Sequence, residues 1–565
     1  MMLLRQARVA LRRLGPALLL SLMANAFGSA YNARPKLVVV IVIDQFRGDY
    51  LERYRDQFGE GGFKVFLDHG AYFSDCNYDY ANTRTGPGHA TLFTGSYTSG
   101  HGIIANEWWD PVKRKLVTSV EDDNTKLVGI DSGGAPGASP HNLLTDALGD
   151  ELKLATGGKA RVFAISLKDR AAVLPGGFSA DAAYWIDAKS GAWITSSYYR
   201  ADLPEWVRNF NGSHRTDKYW NREWKDRDGN LLGSTAARTG TDPGFYRVVG
   251  STPFANDYEF EFAKELVLYE KLGAGANTDL LVISLSANDL LGHAVGPDTP
   301  QMHDMALELD RSLAEFFSFL GHQIGMANVW MALSADHGVA PLPDFAKTLR
   351  LPAANLDVKA LREQINSLLS KKYAKQAEYV LNLDYPLAWL DKDAFVGTAG
   401  WKDESVAEGD TGDAMKQLGM LGYYTKSQLA RGDIPATATG RRYAHSYSPL
   451  GGYYVIGIPM PFQVGVKAGT DHATSFSYDT HVPLAFYGLA FQPGIYRTHA
   501  EPVDLAVTLA SLLGINAPAR ATGRVLTEAL QPPPHRYSTQ PAQPSMSPAS
   551  LLPTSSAAAR AEGNE

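Results

Sequence analysis

The stretch Lys36-Leu-Val-Val-Val-Ile-Val-Ile-Asp44 constrains this chain more than any other. A near-continuous apolar run rich in β-branched residues offers no polar face to water. It therefore reads as a strand covered on both sides, which is the interior of a parallel sheet. The run stops at Asp44, and in open α/β sheets functional groups gather beyond the carboxyl ends of the strands. The same layout recurs. The run 160–167 ends in Lys168-Asp-Arg170, 278–285 ends in Ser286-Ala-Asn-Asp289-Leu-Leu-Gly-His293, and 328–334 ends in Ala335-Asp336-His337-Gly338. A further run, 482–487, follows Asp471-His472 and Asp479-Thr-His481. Helical patterns lie between, at 253–272 and 302–320. Strand, polar terminus and helix in repetition predict an α/β fold: a doubly wound, mainly parallel sheet with helices on both faces.

Two segments interrupt the alternation. Residues 177–252 are rich in Trp, Tyr, Asn and Gly, and 345–455 combine a polar helical portion (358–373) with aromatic and Gly-rich stretches. Both read as insertions near the active-site mouth, their aromatics either walling it or packing the insertions onto the core. Residues 1–30 read as an export signal: Arg5, Arg8, Arg12 and Arg13, then a short apolar core from Gly15 to Met23, then Gly28-Ser-Ala30. That core is too short to span a bilayer comfortably, and no later stretch reads as transmembrane. The catalytic domain then runs over 31–530, and the Pro, Ser and Ala of 531–565 predict a disordered tail. A periplasmic or secreted protein follows from the signal. Cys76 is the only cysteine, so such a protein has no intrachain disulfide and must rely on its core and on bound metal. A formal net charge of −7 argues against a nucleic-acid partner or an anionic membrane surface, but not against a local basic pocket.

In the turn Asn82-Thr-Arg-Thr-Gly-Pro-Gly-His-Ala-Thr-Leu-Phe-Thr-Gly95, the residues Gly86, Pro87 and Gly88 break what precedes them, and a helix pattern resumes at Ala90. Thr85 then sits just ahead of a helix N-terminus, where free N–H groups favour an anion such as a phosphoryl group; a plain N-cap is the alternative. Asp44, Asp289, His293, Asp336, His337 and His472 all stand at strand ends or in the loops between, three carboxylates and three imidazoles. Mixed Asp/His ligation with open positions suits Zn²⁺, and Mn²⁺ or Co²⁺ would also fit. Two metals about 4 Å apart would activate the Thr85 hydroxyl and stabilise a leaving oxygen.

These residues, together with the Thr85-Gly-Pro-Gly-His-Ala-Thr turn, resemble the alkaline phosphatase superfamily, and within it the threonine-nucleophile phosphatases related to the type I phosphodiesterase/nucleotide pyrophosphatase group. The resemblance implies two Zn²⁺, one held by Asp289, His293 and His472, the other by Asp44, Asp336 and His337 with Thr85 as a further ligand. His481 competes with His472, but Gly469-Thr-Asp-His472-Ala-Thr is similar to the family's Gly-Thr-x-His-Gly-Ser, with Ala473 where Gly is usual.

Lys168 and Arg170 bear on the substrate. A phosphate monoester dianion carries two nonbridging oxygens beyond a metal-bound one, and two adjacent cations match them; a diester has an alkyl group in place of one. Asn106 can donate an amide hydrogen bond to the remaining oxygen. The monoesterases of the group resemble the chain here too, with an Asn about twenty residues after the Thr and a Lys-x-Arg pair. The expected function is hydrolysis of small phosphate monoesters through a phosphothreonine on Thr85. A phosphodiesterase or nucleotide pyrophosphatase, or an inactive metal- or phosphate-binding protein of the same fold, are the alternatives.

Overall fold

The computed structural model describes residues 34–131, 133–237, 244–398 and 401–531. The expected export signal and all but the first residue of the expected tail lie outside them.

Strand β1 (Leu37–Ile43) is buried along its whole length and forms the middle of an eleven-stranded sheet. Its neighbours are β8 (Asp279–Leu285) and β9 (Val329–Ser334), both parallel to it, with Leu37 level with Asp279 and Val329. Strand β5 (Val162–Ser166) extends the parallel set beside β8, and β6 (Ala182–Ile186) extends it beside β5. These five strands bury continuous apolar runs, because helices cover both faces. Each fully buried Val, Leu or Ile contributes roughly 1.5–3 kcal/mol relative to an exposed one.

The flanks bring in antiparallel pairs. On one side β14 (Leu484–Tyr487) pairs antiparallel with β9 and with β2 (Ala71–Phe73), and β15 (Gly494–Tyr496) closes the edge. The run 482–487 thus joins the sheet in the opposite sense to the central strands. On the other side β7 (Trp193–Ser196), β3 (Glu121–Val128) and β4 (Pro136–Ala138) complete the sheet. Strands β6 and β7 both come from the aromatic-rich segment 177–252, so part of it is sheet. Two of its rings pack on helix α3 (Pro253–Tyr269): Trp193 stacks on Phe262 at 4.0 Å, and Trp206 lies 5.1 Å from the same ring.

The segment 345–455 carries its own four-stranded antiparallel sheet, in the order β10 (Val380–Asp384), β11 (Leu387–Leu390), β13 (Tyr453–Ile458), β12 (Gly422–Thr425). The polar helix Val358–Tyr373 packs on it through Ile365, Leu369 and Tyr373. Arg84 ties this sheet to the turn before Thr85, donating to the carbonyls of Asp384 and Tyr385 at 3.0 and 3.1 Å and pairing with the Asp384 carboxylate at 3.1 Å. Cys76 is buried and unpaired.

Candidate metal centre and phosphoryl site

The carboxyl ends of β1, β5, β8 and β9 meet the start of helix α1 (Thr85–Thr94), which is buried throughout. Thr85 is its first helical residue. The N-cap is Arg84, in extended conformation, and no side chain caps the helix start. The Thr85 hydroxyl is therefore not spent on capping. Gly88 makes the approach possible, since a Cβ there would lie 2.3 Å from the Asp336 carbonyl oxygen. His89 fixes the helix to the sheet: Nδ1 bonds the Thr85 carbonyl at 2.8 Å and Nε2 the Ser284 hydroxyl at 2.7 Å.

Asp289 and His293 lie on helix α4 (Ala287–Val295) one turn apart, and His472 comes from the loop before β14. Asp44 directly follows β1, and Asp336 and His337 follow β9. They form two groups: Asp289, His293 and His472, and Asp44, Asp336 and His337, each with its ligand-type atoms within 4.8 Å of one another. All three imidazoles are held the same way. Nδ1 of His293 bonds the Thr470 carbonyl at 2.9 Å, that of His337 the Gly338 carbonyl at 2.9 Å, and that of His472 the Thr83 carbonyl at 2.6 Å. Each ring thus turns Nε2 toward the carboxylates, the orientation that outer hydrogen bonds impose on metal-binding histidines. His481 is held elsewhere, with Nε2 on the Ser74 carbonyl at 3.0 Å.

The donor set fits divalent metal. Asp44 Oδ1, Asp336 Oδ2 and His337 Nε2 are all buried and make no hydrogen bond. Buried polar atoms are rarely left so. Burial, with the charges of Asp289 and Asp336, holds the Asp44 carboxyl well above the usual carboxylate range. Burial also opposes ionisation of Asp289, but Lys168 and His293 outweigh it and bring that carboxyl well below. Burial, aided by His337 and His293, keeps His472 well below the ordinary imidazole range, and burial lowers His337 as well. A neutral imidazole is the ligand form. His293 differs: burial opposes its charge, yet the Asp289 carboxylate pushes it up to about 10, a proton that metal would displace.

Lys168 joins the two groups. Its Nζ donates to Asp44 Oδ2 at 2.7 Å and to Asp289 Oδ2 at 2.6 Å, and the side chain is almost wholly buried. Lys168 and Arg170 are both placed by the start of a helix. Strand β5 ends at Ser166, Lys168 is the N-cap of helix α2 (Asp169–Gly176), and Arg170 lies in its first turn. The Arg170 Nε is buried and makes no hydrogen bond. Asn106 accepts the Gly86 N–H through Oδ1 at 2.7 Å, which leaves its NH₂ as the donating end.

Several residues here carried no sequence signal of their own. Gln45 donates from its backbone to Asp336 Oδ1 at 3.0 Å and from Nε2 to Asp289 Oδ1 at 2.7 Å. Asn288 donates to the carbonyls of Asp44 and Gln45 at 2.9 and 3.0 Å. His89 and Arg84 were visible only as parts of the turn.

Ala473 has φ of 84°, in the left-handed region where a Cβ is strained. Its N–H donates to the Thr83 carbonyl at 3.1 Å, so the turn that presents His472 holds it there. Ala473→Gly is expected to stabilise the protein by about 0.5–1 kcal/mol, the relief of strain exceeding the entropy glycine adds to the unfolded chain. A denaturation midpoint that falls would contradict this.

The sequence profile of the type I phosphodiesterase/nucleotide pyrophosphatase family matches residues 38–384. The chain is 33% identical over 521 residues to alkaline phosphatase PhoV of Synechococcus elongatus, covering 88% of this chain and 94% of that one. It is 34% identical over 529 residues to a Myroides odoratus protein named calcium-transporting ATPase, covering 88% and 95%. A solved structure of alkaline phosphatase PafA superposes with a TM-score of 0.80 at 30% identity, covering 88% of this chain and 99% of that one. With the family profile matched over more than half of the chain and relatives of 33–34% identity aligned over 88% of it, the chain belongs to the type I phosphodiesterase/nucleotide pyrophosphatase family.

Proposed function

We propose that this protein is an exported alkaline phosphatase that hydrolyses phosphate monoesters at two zinc ions through a phosphothreonine on Thr85. The observation that carries the reading is the pair of Asp/His groups, one of them wholly buried, joined by Lys168 beside a helix that opens on Thr85 with no side-chain cap. The relatives named alkaline phosphatases, PhoV and PafA, support it. Export rests on the composition of residues 1–30. No helix among the described residues is long and apolar enough to cross a membrane.

Asp289, His293 and His472 would hold one metal, and Asp44, Asp336 and His337 the other, with Thr85 Oγ beside the second. Bound divalent metal supplies Lewis acidity there, lowering hydroxyl pKa and offsetting phosphoryl charge. The chain's own residues do the rest. The N-terminus of α1 and the Asn106 amide receive the phosphoryl oxygens, and Lys168 and Arg170 add two positive charges to them. Thr85 Oγ, giving up its proton to solvent, forms a bond to phosphorus as the bond to the leaving alcohol breaks, and the alcohol oxygen takes a proton from solvent. Water then cleaves the Thr85 ester, restoring the hydroxyl and releasing inorganic phosphate. Positioning and charge stabilisation account for most of the rate in such transfers.

Chelation tests the metal requirement. Stripped protein is expected to lose turnover of p-nitrophenyl phosphate and to regain it with Zn²⁺, at two equivalents per chain by elemental analysis. Loading should also raise the melting temperature, because ligand binding to the folded state stabilises it. Full activity after complete stripping would refute the reading. The family's description keeps diester hydrolysis as the second reading, and the paired cations Lys168 and Arg170 favour the monoester.

A further inference from the structure

Gln45 occupies an unusual place. It is fully buried at the end of β1 with φ of 62°, left-handed for a residue with a long side chain. Asn288 clamps that turn from helix α4 by donating to the carbonyls of two successive residues, Asp44 and Gln45. The conformation sends the backbone N–H to Asp336 Oδ1 at 3.0 Å and the side-chain Nε2 to Asp289 Oδ1 at 2.7 Å. One residue therefore touches a carboxylate of each group, one through its backbone and the other through its side chain. Its Oε1 is buried, makes no hydrogen bond, and lies where a Cβ on Gly292 would come within 1.9 Å of it. A buried amide oxygen without a partner costs stability, so packing alone does not account for an amide at this position. The bond to Asp289 does.

We propose that Gln45 is a positioning residue that orients Asp289 for the metal held with His293 and His472, and that its side chain acts on that metal and not on the other. Asp289 has two oxygens to distribute: Oδ2 receives Lys168, and Oδ1 lies 3.1 Å from His293 Nε2. The Gln45 NH₂ holds Oδ1 while Lys168 holds Oδ2, so each oxygen of the carboxylate has its own donor. Glycine at 292 is what gives the amide room. The Asp44, Asp336 and His337 group receives only the Gln45 backbone N–H, which side-chain replacement leaves intact.

The inference rests on the two-metal reading above, and its test separates the two. Zinc-loaded wild type, Gln45→Met and Gly292→Ala are dialysed against a graded chelator series, and zinc per chain is measured by elemental analysis. Met keeps the volume of Gln and removes the donor; Ala at 292 displaces the amide without altering it. One of the two equivalents is expected to leave either variant at about 10–100-fold lower chelator strength than wild type, with the other unchanged, as outer hydrogen-bond partners of metal ligands typically act. In a His293→Ala background, already deficient in that metal, Gln45→Met should leave retention of the remaining equivalent as it was. Release curves that match wild type in both variants would overturn the proposal, as would equal weakening of both equivalents, which marks a general structural role. Should Gln45→Met fail to fold, Gly292→Ala carries the same test. Wild type that binds no zinc would overturn the two-metal reading itself.

Discussion

Thr85→Ala is expected to lower kcat/KM for p-nitrophenyl phosphate by about 10⁴-fold or more while leaving metal content and melting temperature close to wild type. The change deletes one hydroxyl from the first residue of α1. That hydroxyl caps nothing, so the helix loses no cap and its stability should hardly move. The loss falls on chemistry, because the Thr83 hydroxyl, two residues earlier, is engaged with the Thr474 carbonyl at 2.8 Å. Removing a nucleophile that acts as part of a unit typically leaves only what binding and electrostatics provide. Denatured wild-type enzyme quenched during turnover should carry phosphate on the peptide containing Thr85, and the variant should carry none. A variant within tenfold of wild type would mean that water attacks the substrate directly.

The second large effect concerns substrate class. Lys168→Ala/Arg170→Ala is expected to lower kcat/KM for p-nitrophenyl phosphate by about 10²–10³-fold, the usual scale for losing a charged donor to a developing transition state. The same double change should lower diesterase activity on bis-p-nitrophenyl phosphate by much less, since a diester carries one fewer nonbridging oxygen for these cations. Lys168 also bridges Asp44 and Asp289, so metal content of the variant must be matched to wild type before rates are compared. Equal losses on the two substrates would show that the pair supports the site as a whole and does not select the monoester.

The central sheet was legible because its physics is simple. Strands buried on both faces cannot alternate, so Leu37–Ile43 and Asp279–Leu285 stand out as apolar runs. The edge is another matter. Strand β3, Glu-Asp-Asp-Asn-Thr-Lys-Leu-Val, pairs into the same sheet with much of its surface in water, and only its last two residues are apolar. The two Asp/His groups could be read as residue types at strand ends, and the histidine choice between 472 and 481 turned on a motif. Neither the Lys168 bridge nor the Gln45 contacts could be read. They join segments far apart in the chain through hydrogen bonds to the outer sides of ligands, and such a contact leaves no periodicity or spacing behind it. Ala473 is a smaller case of the same kind: sequence could show a departure from glycine, while only the backbone angle gives it a cost.

The most direct test of the monoesterase assignment is the ratio of kcat/KM values of the zinc-loaded wild-type protein on p-nitrophenyl phosphate and bis-p-nitrophenyl phosphate. A monoester preference of about 10²-fold or more is expected, matching the cation pair that Lys168 and Arg170 bring to the phosphoryl group. A preference for the diester would contradict it, moving the protein to the phosphodiesterase side of its family and leaving those two cations without the role assigned to them.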